Sequence, residues 1–168
     1  MKQKNLVIVA GIPGSGKSTW IEQSLGENDV HISRDAIRFS LLEEGEDYFA
    51  HETQTFDKFV SAINENLNAG KRVFADATHI NWASRRKLLE RIRDKENIDI
   101  DVYTFATPLE VCLERNEQRE GRARVPKSVV KRMFFQSNEP FNDPFHYNTI
   151  KRIWPDGREE DLTRWELR

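Results

Sequence analysis

Eight residues near the start of the chain have the types and spacing needed to hold a polyphosphate. Gly11-Ile12-Pro13-Gly14-Ser15-Gly16-Lys17-Ser18 satisfies the pattern G-x-x-x-x-G-K-[ST] at every fixed position. Glycines let backbone N–H groups converge on phosphate oxygens, and a helix starting beside them adds partial positive charge. In such a loop the lysine, here Lys17, reaches the β and γ phosphates, and the Ser18 hydroxyl ligates Mg²⁺. The strand-like run before the loop and the helix-compatible Thr19-Trp20-Ile21-Glu22 after it supply the expected context. A glycine turn that binds nothing is the competing reading, and the extra Gly14 weakens it.

A phosphate loop specifies a nucleoside triphosphate, not a reaction. No N-K-x-D sequence for reading guanine occurs, and Asp76, the second candidate Mg²⁺ carboxylate, is followed by Ala77 rather than an acidic residue. Without an acidic neighbour to polarise water, the chain points to transfer of phosphate onto another acceptor, the work of a kinase. Ser33-Arg34-Asp35-Ala36-Ile37-Arg38 offers the acceptor side. Asp35 and Arg38, three residues apart, share a helix face. A carboxylate there can orient an alcohol and take its proton, and a guanidinium can grip an acceptor phosphate. Ser33 or Asp35 as a helix cap, with Arg38 as its ion-pair partner, is the alternative. Asp76-Ala77-Thr78-His79-Ile80-Asn81 follows another strand, either as a metal and acceptor site or as a turn held by its own polar side chains. Residues 115–126 carry Arg115, Arg119, Arg122 and Arg124 before Pro126. They read as a lid that neutralises phosphoryl charge and excludes water, or as a solvated basic loop.

These residues need a scaffold that brings strand ends together. Leu6 to Ala10 and Val73 to Ala75 are continuous apolar runs, as buried parallel strands require, and Val30–Ile32, Ile98–Ala106 and Asn148–Trp154 are further strand candidates. Phe56, Phe59, Val60, Ile63 and Leu67 form one helical stripe ending before Gly70. Thr107-Pro108-Leu109-Glu110 has the form of a capping box, Leu88, Leu89 and Ile92 mark another helix, and Pro126 opens one more. Alternating strands and helices predict an α/β fold: a central parallel sheet flanked by helices on both faces, in one domain over residues 1–168 with a lid at about 115–126.

Composition narrows the class. With 168 residues, 38% hydrophobic and 26 basic against 28 acidic side chains, the chain is predicted to be globular rather than disordered. No apolar run approaches the roughly 20 residues of a membrane helix, and neither a signal peptide nor a metal-ligand spacing of histidines is evident, so a cytoplasmic location is expected. The single Cys112 excludes an intrachain disulfide. Charge is uneven: residues 43–57 are purely acidic apart from His51, whereas residues 85–95 and 114–132 are strongly basic. Such basic clusters can be a nucleic-acid or phosphate footprint, but a charge-rich helix is more often a solvated face.

Taken in order, Gly11 to Trp20, Arg34-Asp35-x-x-Arg38, Asp76-Ala77-Thr78 and the Arg115/Arg119 segment leading to Val125-Pro126 resemble phage-type polynucleotide 5′-hydroxyl kinases. That family belongs to a wider P-loop kinase group with zeta-toxin-like and antibiotic phosphotransferases. The resemblance covers roughly residues 5–140. It implies that the loop from Gly11 through Thr19 binds ATP, with Mg²⁺ at Ser18 and Asp76, and that Asp35 is the general base. Arg34, Arg38 and Thr78 would hold the acceptor, the last two at the phosphate on the 3′ side of its nucleoside. Arg119 would grip ATP phosphates and Val125 would pack near the terminal base. Two departures stand out: Ala77 separates Asp76 from Thr78, where the family usually has them adjacent, and the lid is one residue longer, so that Arg119, Arg122 and Arg124 compete for one role. No D-x-D-G-T phosphatase loop occurs, and Asp156-Gly157 reads only as a turn. The expected partners are ATP and a 5′-hydroxyl DNA or RNA end. A small-molecule kinase of the same fold and a non-catalytic nucleotide-binding module are the rival functions.

Overall fold

The structure, a computed structural model, describes residues 4–163. Strand β1 (Lys4–Ala10) alternates its side chains between two apolar environments. Leu6, Ile8 and Ala10 face one core and Val7 and Val9 the other, which is why the run shows no polar alternation. The remaining strands are β2 (Asp29–Ser33), β3 (Arg72–Asp76), β4 (Ile98–Phe105), β5 (Thr149–Ile153) and β6 (Glu159–Asp161), in the sheet order β2-β3-β1-β4-β5-β6. The first five are parallel, and β6 pairs antiparallel with β5 through the Asp156-Gly157 turn. Sequence periodicity did not signal β6, because its three residues are acidic and lie at the sheet edge, where hydrogen bonding alone recruits them.

Helices cover both faces. On one, α3 (Glu52–Asn68) buries Phe56, Phe59, Val60, Ile63 and Leu67 together with Leu88 and Leu89 of α4 (Trp82–Leu89). Helix α3 ends with Gly70 at φ 79, a left-handed position in which the Gly70 N–H reaches the Leu67 carbonyl at 3.0 Å. On the other face, α1 (Lys17–Ser24) contributes Ile21 and Trp20, whose ring meets Phe74, Tyr103 and Phe105 edge-on. Helices α5 (Leu109–Glu117) and α6 (Lys127–Gln136) form a third small core from Cys112, Val130 and Ile12. Among the described residues no helix is long and apolar enough to cross a membrane.

Two expectations change. Thr107 does not cap α5: the helix starts after Pro108 without a side-chain cap, and the Thr107 hydroxyl donates instead to the Ser15 carbonyl at 2.8 Å. A tertiary acceptor has displaced the local one. Arg85 belongs to no surface cluster. It is completely buried, and its guanidinium donates to Asp143 (2.6 and 2.8 Å), to the His79 carbonyl (2.8 Å) and to Asn138. The Asp143 side chain is 1% exposed, so the pair is fully desolvated and pins residues 138–143 to α4.

The segment after β3 is folded inward. Thr78 accepts the Gly11 N–H at 2.9 Å, and His79, at φ 41, sends its ring into the core against the Val9 carbonyl (3.1 Å). Burial lowers its pKa to about 4, with the cations of Arg34 and Arg85 adding to the effect. The folded protein therefore binds fewer protons than the unfolded chain between pH 6.5 and 4, and stability falls as pH falls through that window. His79→Asn, which tolerates the left-handed backbone, should remove about 2 kcal/mol of the stability lost between pH 7 and pH 5, measured by urea denaturation at both pH values. Replacing Arg85 by Ala should cost about 3–5 kcal/mol by the same measurement, since a buried carboxylate is left unpaired. The double variant Arg85→Met/Asp143→Leu should recover most of that loss.

Candidate active site

The glycine loop joins β1 to α1 at the carboxyl edge of the sheet, where β3 and β4 flank β1, the position at which such sheets gather ligands. Gly14 has φ +83, and a Cβ there would lie 2.4 Å from the Cys112 carbonyl oxygen, so only glycine allows α5 to approach. Three neighbours fasten the loop: Thr78 at Gly11, Thr107 at Ser15, and Arg115, whose Nη1 donates to the Gly14 carbonyl at 3.2 Å. Lys17 curls back over the loop and donates to the Gly11 (2.8 Å) and Ile12 (3.2 Å) carbonyls. Burial is the main reason its ammonium sits below the ordinary lysine range. Asp76 and Asp35 pull it up and Arg119 pushes it further down. The Ser15 hydroxyl is buried with no partner among the described residues. An orphaned donor, a lysine and a helix N-terminus in one loop fit a polyphosphate. Gly16 supplies φ 96 at the start of α1, and Thr19 is exposed on its first turn.

Next to the loop is a metal-compatible corner. Ser18 Oγ donates to Asp76 Oδ2 at 2.6 Å, and His31 Nε2, from β2, lies 2.8 Å from the same oxygen. Burial alone would raise the Asp76 pKa, but His31, Lys17 and Ser18 together hold it below the usual carboxylate range. His31 was invisible to motif reading, because strand pairing alone brings it beside Asp76. No group of three or more His, Cys, Asp or Glu able to hold a metal occurs among the described residues. Two oxygen donors from the protein suit Mg²⁺, which keeps several waters and takes phosphate ligands.

The side of the cleft that the sequence suggests for an acceptor is built on α2 (Arg34–Leu41) and the loop after it. Ser33, not Asp35, caps the helix, its side chain accepting from the Ala36 N–H at 3.1 Å. Asp35 is thereby free to face the cleft. Its Oδ1 accepts from the Tyr48 hydroxyl at 2.7 Å and from Arg38 Nη1, whereas Oδ2 has no partner among the described residues. Arg38 is buried, stacks 4.3 Å over the Tyr48 ring and donates to both carboxylate oxygens of Glu52, at 2.8 and 3.0 Å through Nη2. Glu52 also takes Arg34 Nη2 at 2.6 Å. Tyr48 and Glu52 come from the acidic stretch 43–57, which has no recognisable motif. It forms the outer wall of the site.

Arginines close the cleft. Asn116, fully buried in α5, accepts the Val125 N–H (3.0 Å) and donates to the Val125 carbonyl (2.6 Å), clasping the base of the arginine-rich segment. Arg119 lines the cleft, and its guanidinium makes no hydrogen bond or ion pair with the described residues. Arg122 donates to the Glu43 and Glu46 carbonyls at 2.9 and 3.3 Å, and Arg124 to the Arg119 carbonyl at 2.9 Å. One cleft of about 360 Å³ is lined by Lys17, Ser18 and Asp76 at one end and by Arg34, Asp35 and Arg38 at the other. Thr78, Arg119, Arg122 and Val125 also line it. The remaining loop residues, Gly11, Gly14, Ser15 and Gly16, do not line this cleft.

Similar architecture occurs in proteins of low sequence identity. The Pnkp1/Rnl/Hen1 RNA repair complex contains a chain that superposes with TM-score 0.69 at 24% identity, over 81% of this chain and 44% of that one. This chain thus spans under half the length of that protein. Chaetomium thermophilum Kti12, solved with ADP-AlF3, gives TM-score 0.63 at 18% identity over 96% and 94% of the two chains. A sugar kinase from Janibacter sp. HTCC2649 gives 0.58 at 16% identity over 89% and 85%. Their shared feature is the P-loop kinase fold. Residues 6–140 match the family AAA_33, described as an AAA domain. With four-fifths of its sequence inside that match and its glycine loop at the heart of it, the chain belongs to the AAA_33 family.

Proposed function

We propose that this chain transfers the γ-phosphate of ATP to the 5′-hydroxyl end of a DNA or RNA strand. One observation carries the reading: Asp35 lines the same cleft as Lys17 and the Ser18–Asp76 corner, and its Oδ2 has no partner among the described residues. In this reading Asp35 Oδ2 accepts the proton of the 5′-hydroxyl as its oxygen attacks the γ-phosphorus, and ADP leaves. Tyr48 and Arg38 hold the other carboxylate oxygen and so fix the orientation of the base. Lys17 and Arg119 offset the charge on the transferring phosphoryl group, which is where most of the catalytic gain of such reactions arises. Mg²⁺, held by Ser18 and Asp76, would supply further charge neutralisation at the phosphates. Arg34 and Thr78 would present donors to the phosphate on the 3′ side of the acceptor nucleoside, Arg38 would join them only by exchanging its contacts to Glu52, Asp35 and Tyr48, and Val125 would offer an apolar surface to the base. The RNA-repair relative supports a nucleic-acid acceptor. The sugar-kinase relative favours a second reading, a small alcohol in the same cleft.

Labelled ATP should transfer phosphate to a 5′-hydroxyl oligonucleotide and not to its 5′-phosphorylated twin. Labelling of gluconate or another polyol, with no labelling of any strand, would establish the second reading instead. Asp35→Ala should lower kcat by about 10²–10⁴ while ATP binding, followed by fluorescent-analogue titration, stays intact. A near-normal rate would remove Asp35 as the base. Lys17→Ala and Arg119→Ala should each slow single-turnover transfer by about 10²–10³. Arg122→Ala should slow it less, because Arg122 is engaged with backbone carbonyls of the outer wall. The opposite order for the two arginines would assign the phosphate contact to Arg122.

A further inference from the structure

The rims of the cleft differ sharply in charge. On the side of the arginine-rich segment, the loop after α2 exposes Glu43, Glu44 and Asp47, and Asp47 itself lines the cleft. These carboxylates offset Arg122 and Arg124 on the same rim and so weaken its attraction for a polyanion. On the other side, Arg34 lines the cleft and also lies 5.1 Å from the centroid of the Phe56 ring. The same ring is met by Lys87 Nζ at 4.7 Å and by Arg91 at 5.5 Å. Three cations, on α2, on α4 and in the turn after α4, are thus gathered around one aromatic side chain that is itself 7% exposed.

Cation–π attraction to a single ring favours such a cluster by about 0.5–2 kcal/mol per contact, but the cations also repel one another. The available anions do not balance them. Arg34 has Glu52 at 2.6 Å and Arg91 has Asp57 at 3.1 Å, whereas exposed Lys87 meets no carboxylate among the described residues. Neighbouring Arg86 is satisfied by Glu90 at 2.8 Å. Arg34 Nε is buried without a partner. A cation lacking a counter-charge, next to an arginine that already lines the acceptor cleft, is complementary to a chain of phosphates.

We propose that the ridge from Arg34 across Phe56 to Lys87 and Arg91 binds the phosphodiester backbone of the acceptor strand beyond its terminal nucleotide. The proposal rests on the strand-kinase reading and extends it: the terminal nucleoside occupies the cleft, and the following phosphates lie along α3 and α4. Recognition is through backbone charge, so it accepts any base sequence. It also gives a role to the basic run after residue 85, less Arg85 itself.

The test compares wild type with Lys87→Gln/Arg91→Gln, two exposed changes outside the cleft. Lys71→Gln, at the opposite end of the sheet before β3, serves as a charge control. Binding of a fluorescein-labelled 10-nucleotide single strand is followed by anisotropy across a salt series, alongside phosphorylation of the same strand and of a nucleoside 3′-monophosphate. The double variant should weaken strand binding by roughly 3- to 30-fold and flatten the slope of log Kd against log salt by about 0.7 per cation removed. Its KM for the strand should rise while kcat and the KM for the mononucleotide stay at wild-type values. Lys87→Arg, which keeps the charge, should recover the Lys87 share of the lost affinity and salt slope when introduced in place of Lys87→Gln. Wild-type strand affinity and salt slope in the double variant, or an equal loss in Lys71→Gln, would overturn the ridge. Absence of labelling on any strand by the wild type would overturn the kinase reading separately, and the anisotropy series still decides whether the ridge binds the strand.

Discussion

Of the carboxylates lining the cleft, Asp76 and Asp35 are held differently, and the proposed chemistry depends on that difference. Asp76 is wrapped by Ser18, His31 and Lys17 and kept ionised deep at the end of β3. Asp35 is anchored through one oxygen only and keeps the other open on the cleft side. If both were tied equally, no carboxylate oxygen of the pair would remain for the proposed base. If both were free, Lys17 would be drawn into a neutralising pair with whichever lay closer. The partition is achieved by giving each carboxylate its own donors from a different part of the chain.

The scaffold exists to keep these two partner sets apart. Parallel pairing of β1 with β3 places Asp76 beside the phosphate loop, and pairing of β2 with β3 brings His31 to it. Ser33 at the end of β2 caps α2, so the next helical turn projects Asp35 and Arg38 over the same sheet edge. Close packing of the loop on α5, enforced at Gly14, ties the arginine-rich segment to the loop through Arg115. A displacement of any of these strands would therefore shift base, metal corner and arginines relative to one another. Reactions that depend on positioning and charge neutralisation are sensitive to displacements of this size.

The acidic stretch 43–57 joins the two ends of the cleft. Glu52 gathers Arg34 and Arg38, Tyr48 steadies Asp35, and the Glu43 and Glu46 carbonyls receive Arg122 from the opposite wall. This stretch is the outer wall of the cleft, and its surplus negative charge weakens the attraction of its own rim for a polyanion. Its work is done by single side chains and by backbone carbonyls, neither of which forms a pattern along the chain.

The amino-acid sequence alone determined the phosphate loop, the alternating strand and helix order, the apolar stripe of α3 and the candidate acid–base residues at strand ends. Each of those is encoded locally: by glycine spacing, by hydrophobic period, or by polar residues immediately after an apolar run. The tertiary structure decided what distance along the chain conceals. It removed Arg85 from the surface, redirected Thr107 from a helix cap to the Ser15 carbonyl, and placed His31, Tyr48, Glu52 and Asn116 around the site. It also separated the lid arginines, with Arg115 on the loop, Arg122 on the outer wall and Arg119 facing the cleft. The physical reason is the same throughout. A side chain's polar partner is chosen by whichever donor or acceptor burial brings within reach, and sheet order rather than sequence order sets that neighbourhood.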